Sequence, residues 1–430
     1  MKIDSRTVDN IIKILNEEIV PAEGCTEPIA IAYVAAKARD LLAKTPSSVK
    51  IYASGNIIKN VKSVVVPNSG GMVGIKVAAT MGIIAGKVSK GLMVISGVNE
   101  TDMKEVRKFL DDCPIEVIHE KTDIKLYIRI ELKYKNENVL VEVKHLHTNI
   151  TRINKNGEEL VNRPCNDADF NSPLTDRKIL SIELIYNLAK SINLDLIKPL
   201  FKKIIKLNSN IAEEGLKESY GVNIGSCILK NIDQGIYGND RRNRCASYAA
   251  AGSDARMSGC PLPVMTTSGS GNQGMTASLP VIKYCQMRGF SEEQTIRALF
   301  FSHLSTIHIK TNVGRLSAYC GAMCAAAGAS GALAFLIGGN FQTVASAIIN
   351  TLGNISGVIC DGAKASCAMK IATGIYTAFD AATLACYHKV LCGGDGIVGT
   401  DVEETIKNIG ELAQTGMQTT DEVILEIMTK

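Results

Sequence analysis

The sequence predicts an α+β protein, with a mixed α/β N-terminal domain over residues 1–170 and a larger all-α C-terminal domain over 171–430 that has buried central helices. Three observations predict this. Helix-like and strand-like patterns alternate up to about residue 160. A polar stretch carrying two prolines, 161–175, then interrupts the pattern and marks the boundary. Beyond it only helical periodicity is found. The length of 430 residues agrees, because a single hydrophobic core stops growing at roughly 250–300 residues.

Val8, Ile11, Ile12, Leu15 and Ile19 recur at helical spacing. After a break at 21–25, a second helix is expected over 28–42. Short β-rich runs follow at 49–53 and 61–66. A Gly-rich turn, NSGGMVG, occupies 68–74, and 100–112 reads as an exposed helix. Three strands are expected at 115–119, 126–134 and 139–147. In the second, Leu126, Ile128, Ile130 and Leu132 alternate with polar residues, as a half-buried strand requires. Asn156-Gly157 is a hairpin turn signal. In the second domain, 180–192, 194–205, 276–287, 292–304 and 401–412 fit amphipathic helices. Pro199 and Pro280 start late or kink two of them.

From Leu316 to Cys360 there is no charged side chain. A membrane span wants about 20 predominantly apolar residues with interfacial anchors. This stretch is rich in Gly, Ala and Ser, is interrupted by Asn340, Gln342, Asn350 and Asn354, and belongs to a chain without Trp. Buried central helices are therefore expected, and no membrane span.

Forty-seven basic against 43 acidic residues give a net charge of +4, without the clustered excess of a nucleic-acid groove. Lys202, Lys203 and Lys206 read as the wet face of a helix. The N-terminus carries charges and no apolar run, so no secretory signal is expected and a cytoplasmic location is. In that compartment thirteen cysteines are not a disulfide framework.

Cys320, Cys360 and Cys367 lie in and beyond the uncharged stretch. Their spacing is neither a C-x2-C zinc pattern nor a ferredoxin run. They are either buried neutral thiols or metal ligands. Cys25, in EGCTEP, precedes a helix for which Thr26 is the expected N-cap. The helix end lowers a thiol pKa, while Glu23 and Glu27 raise it. Cys25 is thus a nucleophile or base, or a cap-region cysteine without a role. Ser268, Ser270, Asn272 and Gln273 belong to the loop SGSGNQG before a helix expected near Met275, where backbone N–H groups and polar side chains suit a carboxylate or phosphate. Ser69-Gly70-Gly71 is a weaker candidate. Asp254 and Arg256 read as a local ion pair, and Arg256 or Arg315 is available to clamp a carboxylate. His147 at a strand end faces either a cleft or solvent.

The blocks EGCTEP, SDARM with SGSGNQG, RLSAYC, DGAKASC and TGMQTTDEVILEIM, in that order along the whole chain, resemble the L-cysteine desulfidase family, which is related to the iron–sulfur L-serine dehydratases. The resemblance implies a [4Fe-4S] cluster on Cys320, Cys360 and Cys367, with Cys25 as proton acceptor. The serine dehydratases have a longer second gap between ligands, which makes Cys324 the substitute ligand. The implied activity is β-elimination from L-cysteine to pyruvate, ammonia and sulfide, or the same chemistry on L-serine. The implied partner is a small amino acid, with neither nucleic acid nor membrane, and a homo-oligomer is left open. A pyridoxal enzyme would turn first to Lys364. The other classes are a non-catalytic binder of small acids and a membrane transporter.

Overall fold

The computed structural model describes residues 4–167, 169, 171 and 174–430. The boundary expected over 161–175 therefore lies partly outside the described residues. The chain opens with Ser5–Glu18 (α1), Pro21–Glu23 (β1), Thr26–Leu42 (α2), Ser48–Ala53 (β2), Gly55–Val61 (α3), Ile75–Ala85 (α4) and Glu100–Asp112 (α5). Five strands follow: Ile115–His119 (β3), Tyr127–Tyr134 (β4), Glu137–Lys144 (β5), Ile150–Lys155 (β6) and Glu158–Asn162 (β7). The fold is α+β, as expected, with its sheet in the N-terminal half.

Strands β2 to β7 form one sheet in the order β3-β2-β4-β5-β6-β7, with β2 and β3 parallel and the other neighbours antiparallel. Ile51 pairs with Ile130, which pairs in turn with Val141. All three are buried, so the period-two alternation read from the sequence marks the face turned to the core. Helices α2 and α4 cover that face and share its apolar cluster. Helix α5 carries a reciprocal cap between Asn99 and Asp102 and keeps its polar face wet.

Two expectations in this half are corrected. Residues 61–66 are not a strand. Val61 ends α3, and Val65 makes only an isolated bridge to Val73, because the NSGGMVG turn folds the chain back immediately. The strand expected to reach 147 stops at Lys144, where His145 takes a left-handed φ of 65° that a strand does not allow.

The second half contains Ile182–Ser191 (α6), Lys198–Lys217 (α7), Ile224–Asp233 (α8), Arg241–Met257 (α9), Pro263–Met265 (β8), Gly271–Arg288 (α10), Glu292–Val313 (α11), Gly321–Leu336 (α12), Phe341–Ile355 (α13), Cys367–Cys386 (α14), Val402–Glu411 (α15) and Gln418–Thr429 (α16). Pro199 lies in the first turn of α7, and Pro280 sits inside α10 without ending it. The uncharged stretch forms α12 and α13, both mostly buried. Among the described residues no helix is long and apolar enough to cross a membrane. Helix α9 is buried on nearly every side, which explains why no amphipathic period announces it.

The halves are joined at several points. Ile11, Ile14 and Leu15 of α1 belong to the helical core. Strand β1 pairs antiparallel with β8, Pro21 opposite Met265. Lys59 of α3 is 2% exposed, and its Nζ donates to Asp421 Oδ1 of α16 at 2.6 Å and to the Cys360 carbonyl at 3.0 Å. Removing Lys59 leaves the buried Asp421 carboxylate with only the more distant, exposed Lys125 Nζ at 3.8 Å, at a cost of up to about 3–5 kcal/mol. Lys59→Met is therefore expected to lower stability by that amount in chemical denaturation, and Lys59→Met with Asp421→Leu to recover most of it.

Candidate functional site

Cys320, Cys360, Cys367 and Cys25 line one cavity, together with Glu27, Lys59, Asn60, Arg256, Ser270, Asn272, Gln273, Lys310 and others. Its walls come from both halves of the chain. Cys320 is the N-cap of α12, and Cys367 is the first residue of α14. Cys360 lies on the segment between α13 and α14. That segment is pinned to the one before α12 by a two-way backbone exchange: the Cys320 N–H donates to the Val358 carbonyl at 3.1 Å, and the Cys360 N–H to the Ala318 carbonyl at 2.6 Å. Tyr319 and Ile359 form the bridge between them. This is why two cysteines far apart in sequence face one space.

All thirteen cysteines are free. Burial, then the charges of Cys360 and Cys367, push the Cys320 thiol up to about 12. Burial, and further down the order of effects Cys360, also raise Cys367. Clustered buried thiols thus resist ionising together unless a cation joins them. Among the described residues the only ligand-type trio within 4.8 Å is His145, Cys165 and Asp167. Cys320, Cys360 and Cys367 are therefore spread wider than a single ion needs, whereas a cubane takes each thiolate on a different iron. Partnerless buried atoms nearby, the Gln273 Oε1 and the Tyr319 hydroxyl, are further signs of a group that belongs there. The donor set fits an iron–sulfur cluster. Cys324 lies one turn along α12, outside the lining, its thiol pushed up to about 11 by burial.

On the opposite wall, Cys25 and not Thr26 is the N-cap of α2. The chain turns into this helix through Gly24 at φ +57°, where a Cβ would fall 2.1 Å from Pro67 Cγ. The Cys25 thiol donates to Glu27 Oε2 at 2.9 Å. Glu27 also accepts from Thr26 Oγ1 at 3.1 Å and from Asn60 Nδ2 at 3.2 Å. His147 Nε2 stands 3.9 Å from Glu27 Oε1, an ion-pair separation rather than a hydrogen bond. Burial pushes the Glu27 carboxyl up, but His147 and the Cys25 hydrogen bond prevail and hold it at about 2. Burial and then Glu27 drive the Cys25 thiol well above its usual range, against the pull of Arg256. The resting pair is a neutral thiol on a carboxylate, and the helix end does not win.

The SGSGNQG loop forms a third wall. Thr267 and Ser270 exchange backbone hydrogen bonds across Ser268 and Gly269, and the Gly269 carbonyl accepts from Thr26 Oγ1 at 2.8 Å, docking the loop on α2. Helix α10 starts at Gly271, four residues earlier than expected, so the N–H groups of Gly271, Asn272 and Gln273 form its first turn. Ser270, Asn272 and Gln273 line the cavity; Ser268 does not, and its N–H donates to the Glu18 carbonyl.

Asp254 and Arg256 do not pair. One faces each way from α9: Asp254 accepts from the Gly225 N–H at 2.9 Å, and Arg256 turns to the cavity. Arg256 Nη1 reaches the neutral atoms Asn272 Oδ1 (3.0 Å) and Met257 Sδ (3.4 Å), and its Nε is buried without a partner. A Cβ at Gly271 would come within 2.3 Å of that Nε, so only glycine admits the guanidinium here. Arg315, in contrast, is bound to both Glu18 oxygens at 3.0 Å. Lys364 is paired with Asp361 and stands outside the lining. Lys310 is a second buried lysine of the cavity beside Lys59, and its pKa is lowered chiefly by burial.

Residues 89–426 match the family model described as the serine dehydratase alpha chain. The chain belongs to the serine dehydratase alpha chain family. Membership places it among dehydratase-type lyases. The family match begins after Cys25, but relatives cover the whole length. A UPF0597 protein of Fusobacterium nucleatum is 65% identical over 423 residues, covering 98% of this chain and 99% of its own. UPF0597 proteins of Desulfitobacterium hafniense and Treponema denticola are 46% and 43% identical, over 100% of this chain and 98% and 100% of theirs.

Sequence reasoning did not single out Lys59, Asn60 or Lys310 and left Glu27 as a mere influence on Cys25. Only the EGCTEP block hinted at Glu27. On β1, Glu23 accepts from Asn68 Nδ2 at 2.8 Å, while its second oxygen is buried without a partner. Burial raises this carboxyl from 4.5 to about 7. Stability from the protonated form is complete below the unfolded value and is lost as pH rises through 7, amounting to about 3 kcal/mol. In urea titrations between pH 5 and 8, Glu23→Gln is expected to remove this decline.

Proposed function

We propose that this protein is an iron–sulfur-dependent β-eliminating lyase that converts L-cysteine to pyruvate, ammonia and sulfide. The observation that supports this most is the meeting of Cys25 with Cys320, Cys360 and Cys367 around one cavity. These three cysteines would hold a [4Fe-4S] cluster. Held by these three cysteines, such a cluster would supply a Lewis acid for the substituent on the substrate's β-carbon.

The protein's own groups divide the remaining work. Arg256 lacks a carboxylate partner among the described residues and, with the first-turn N–H groups of α10, suits the α-carboxylate. Ser270, Asn272 and Gln273 add polar contacts, and Ser268 supports the loop from behind. The Cys25–Glu27 pair takes the α-proton. At rest it holds one proton and one negative charge; the second proton neutralises it. Two carriers make the step feasible where Cys25 alone, held as a thiol, is a poor acceptor. The Cα–H electrons form the Cα=Cβ bond as the Cβ–S bond breaks. Lys310 stands in the cavity as a proton source for the departing sulfur. The aminoacrylate tautomerises to an imine, and water converts it to pyruvate and ammonia. A cytoplasmic location suits these reduced thiols.

L-Serine is the second reading, favoured by the family's own description. Pyruvate formation measured without oxygen on both amino acids separates the two, and a higher kcat/KM on L-serine overturns the cysteine assignment. Cys25→Ser is expected to keep its iron and sulfide and to lose about 10²–10⁴-fold in kcat. Near-normal turnover would remove Cys25 from the mechanism. Cys360→Ala is expected to lose the cluster, read as iron and sulfide content and as the EPR signal of the reduced protein.

A further inference from the structure

A second set of ligand-type side chains lies outside the cysteine cavity. His145 directly follows β5, and Cys165 and Asp167 lie in the segment after β7. One ligand atom from each lies within 4.8 Å of the other two. Cys165 Sγ is 3.8 Å from Asp167 Oδ1. Bonds of 2.0–2.3 Å to a tetrahedral ion set neighbouring ligands about 3.3–3.8 Å apart, so this edge is already at its bound length.

The histidine supplies an independent sign. It is 3% exposed and held at a left-handed φ of 65°. Its ring engages the backbone of Asn166, which lies between the two other ligands. Nε2 is nevertheless buried without a partner. A buried ring nitrogen with nothing to bind is costly, and a ligating histidine typically has its other nitrogen fixed by a backbone group in this way.

We propose that His145, Cys165 and Asp167 bind one divalent cation of the zinc class. The set of nitrogen, thiolate and carboxylate suits Zn²⁺ and does not suit Mg²⁺ or Ca²⁺, which take oxygen ligands. Lys144 Nζ contacts both Asp167 oxygens, at 3.1 and 3.3 Å. With the thiolate and carboxylate it leaves the trio one negative charge, which the ion more than balances. Water takes the fourth position. The ion ties the segment after β7 to the end of β5.

The test uses the full-length chain and Zn²⁺ in competition with a chromophoric chelator, followed by Co²⁺. One equivalent of Zn²⁺ is expected to bind. Cys165→Ser should weaken it at least about 100-fold, since loss of a mere supporting contact costs 10–100-fold. The thiolate-to-cobalt band should vanish in Cys165→Ser and persist in Cys360→Ala. Asp167→Asn, at an exposed position, serves if the Cys165 variant does not fold, with at least about tenfold weaker binding expected. No stoichiometric Zn²⁺, or a cobalt band lost in Cys360→Ala and kept in Cys165→Ser, overturns the proposal.

Discussion

Positive helix ends facing buried anionic groups are the constraint on which the rest of this structure depends. Helices α2, α12 and α14 each begin at the cavity with a cysteine in the cap or first position, and α10 begins there with its polar loop. Each terminus presents unpaired N–H groups and roughly half a positive charge. Arg256 adds a full charge. The cavity is thus built to hold negative charge that burial would otherwise forbid, and Glu27, kept ionised chiefly by His147 and the Cys25 hydrogen bond, already places one charge there.

Four helix ends meet at one place only if the two halves of the chain are held in register. That is the work of β1 on β8, of Thr26 on the Gly269 carbonyl, of Arg315 on Glu18 and of Lys59 on the Cys360 carbonyl. Each tie uses a directional polar contact. Apolar packing alone tolerates small slips, whereas these contacts hold the facing walls at fixed separations.

Much of the framework was legible because local chemistry decides it. The alternation at Ile128, Ile130 and Leu132 marks β4, and Asn156-Gly157 marks the β6–β7 turn. Helix α9 was not legible, since a helix buried all round has no polar face to give it a period. The run at 61–66 misled because β-branched residues also pack well in a tight turn over a core. In the site, Cys25, Cys320, Cys360 and Cys367 stood out through their short motifs. Glu27, Asn60, Lys59 and Lys310 did not, because their importance comes from contacts across the fold, such as the 301-residue separation between Lys59 and Cys360. The pairing of Asp254 with Arg256 failed for a simple reason: on a helix, residues two apart point to different sides.

Lys59 reaches Asp421 across 362 residues while also holding the Cys360 carbonyl. This arrangement sets an order of events during synthesis. The early half can collapse as it leaves the ribosome, but the segment bearing Cys360 gains its full support only after residue 421 has been made. Loading of the proposed cluster into the cavity would thereby follow the synthesis of residue 421.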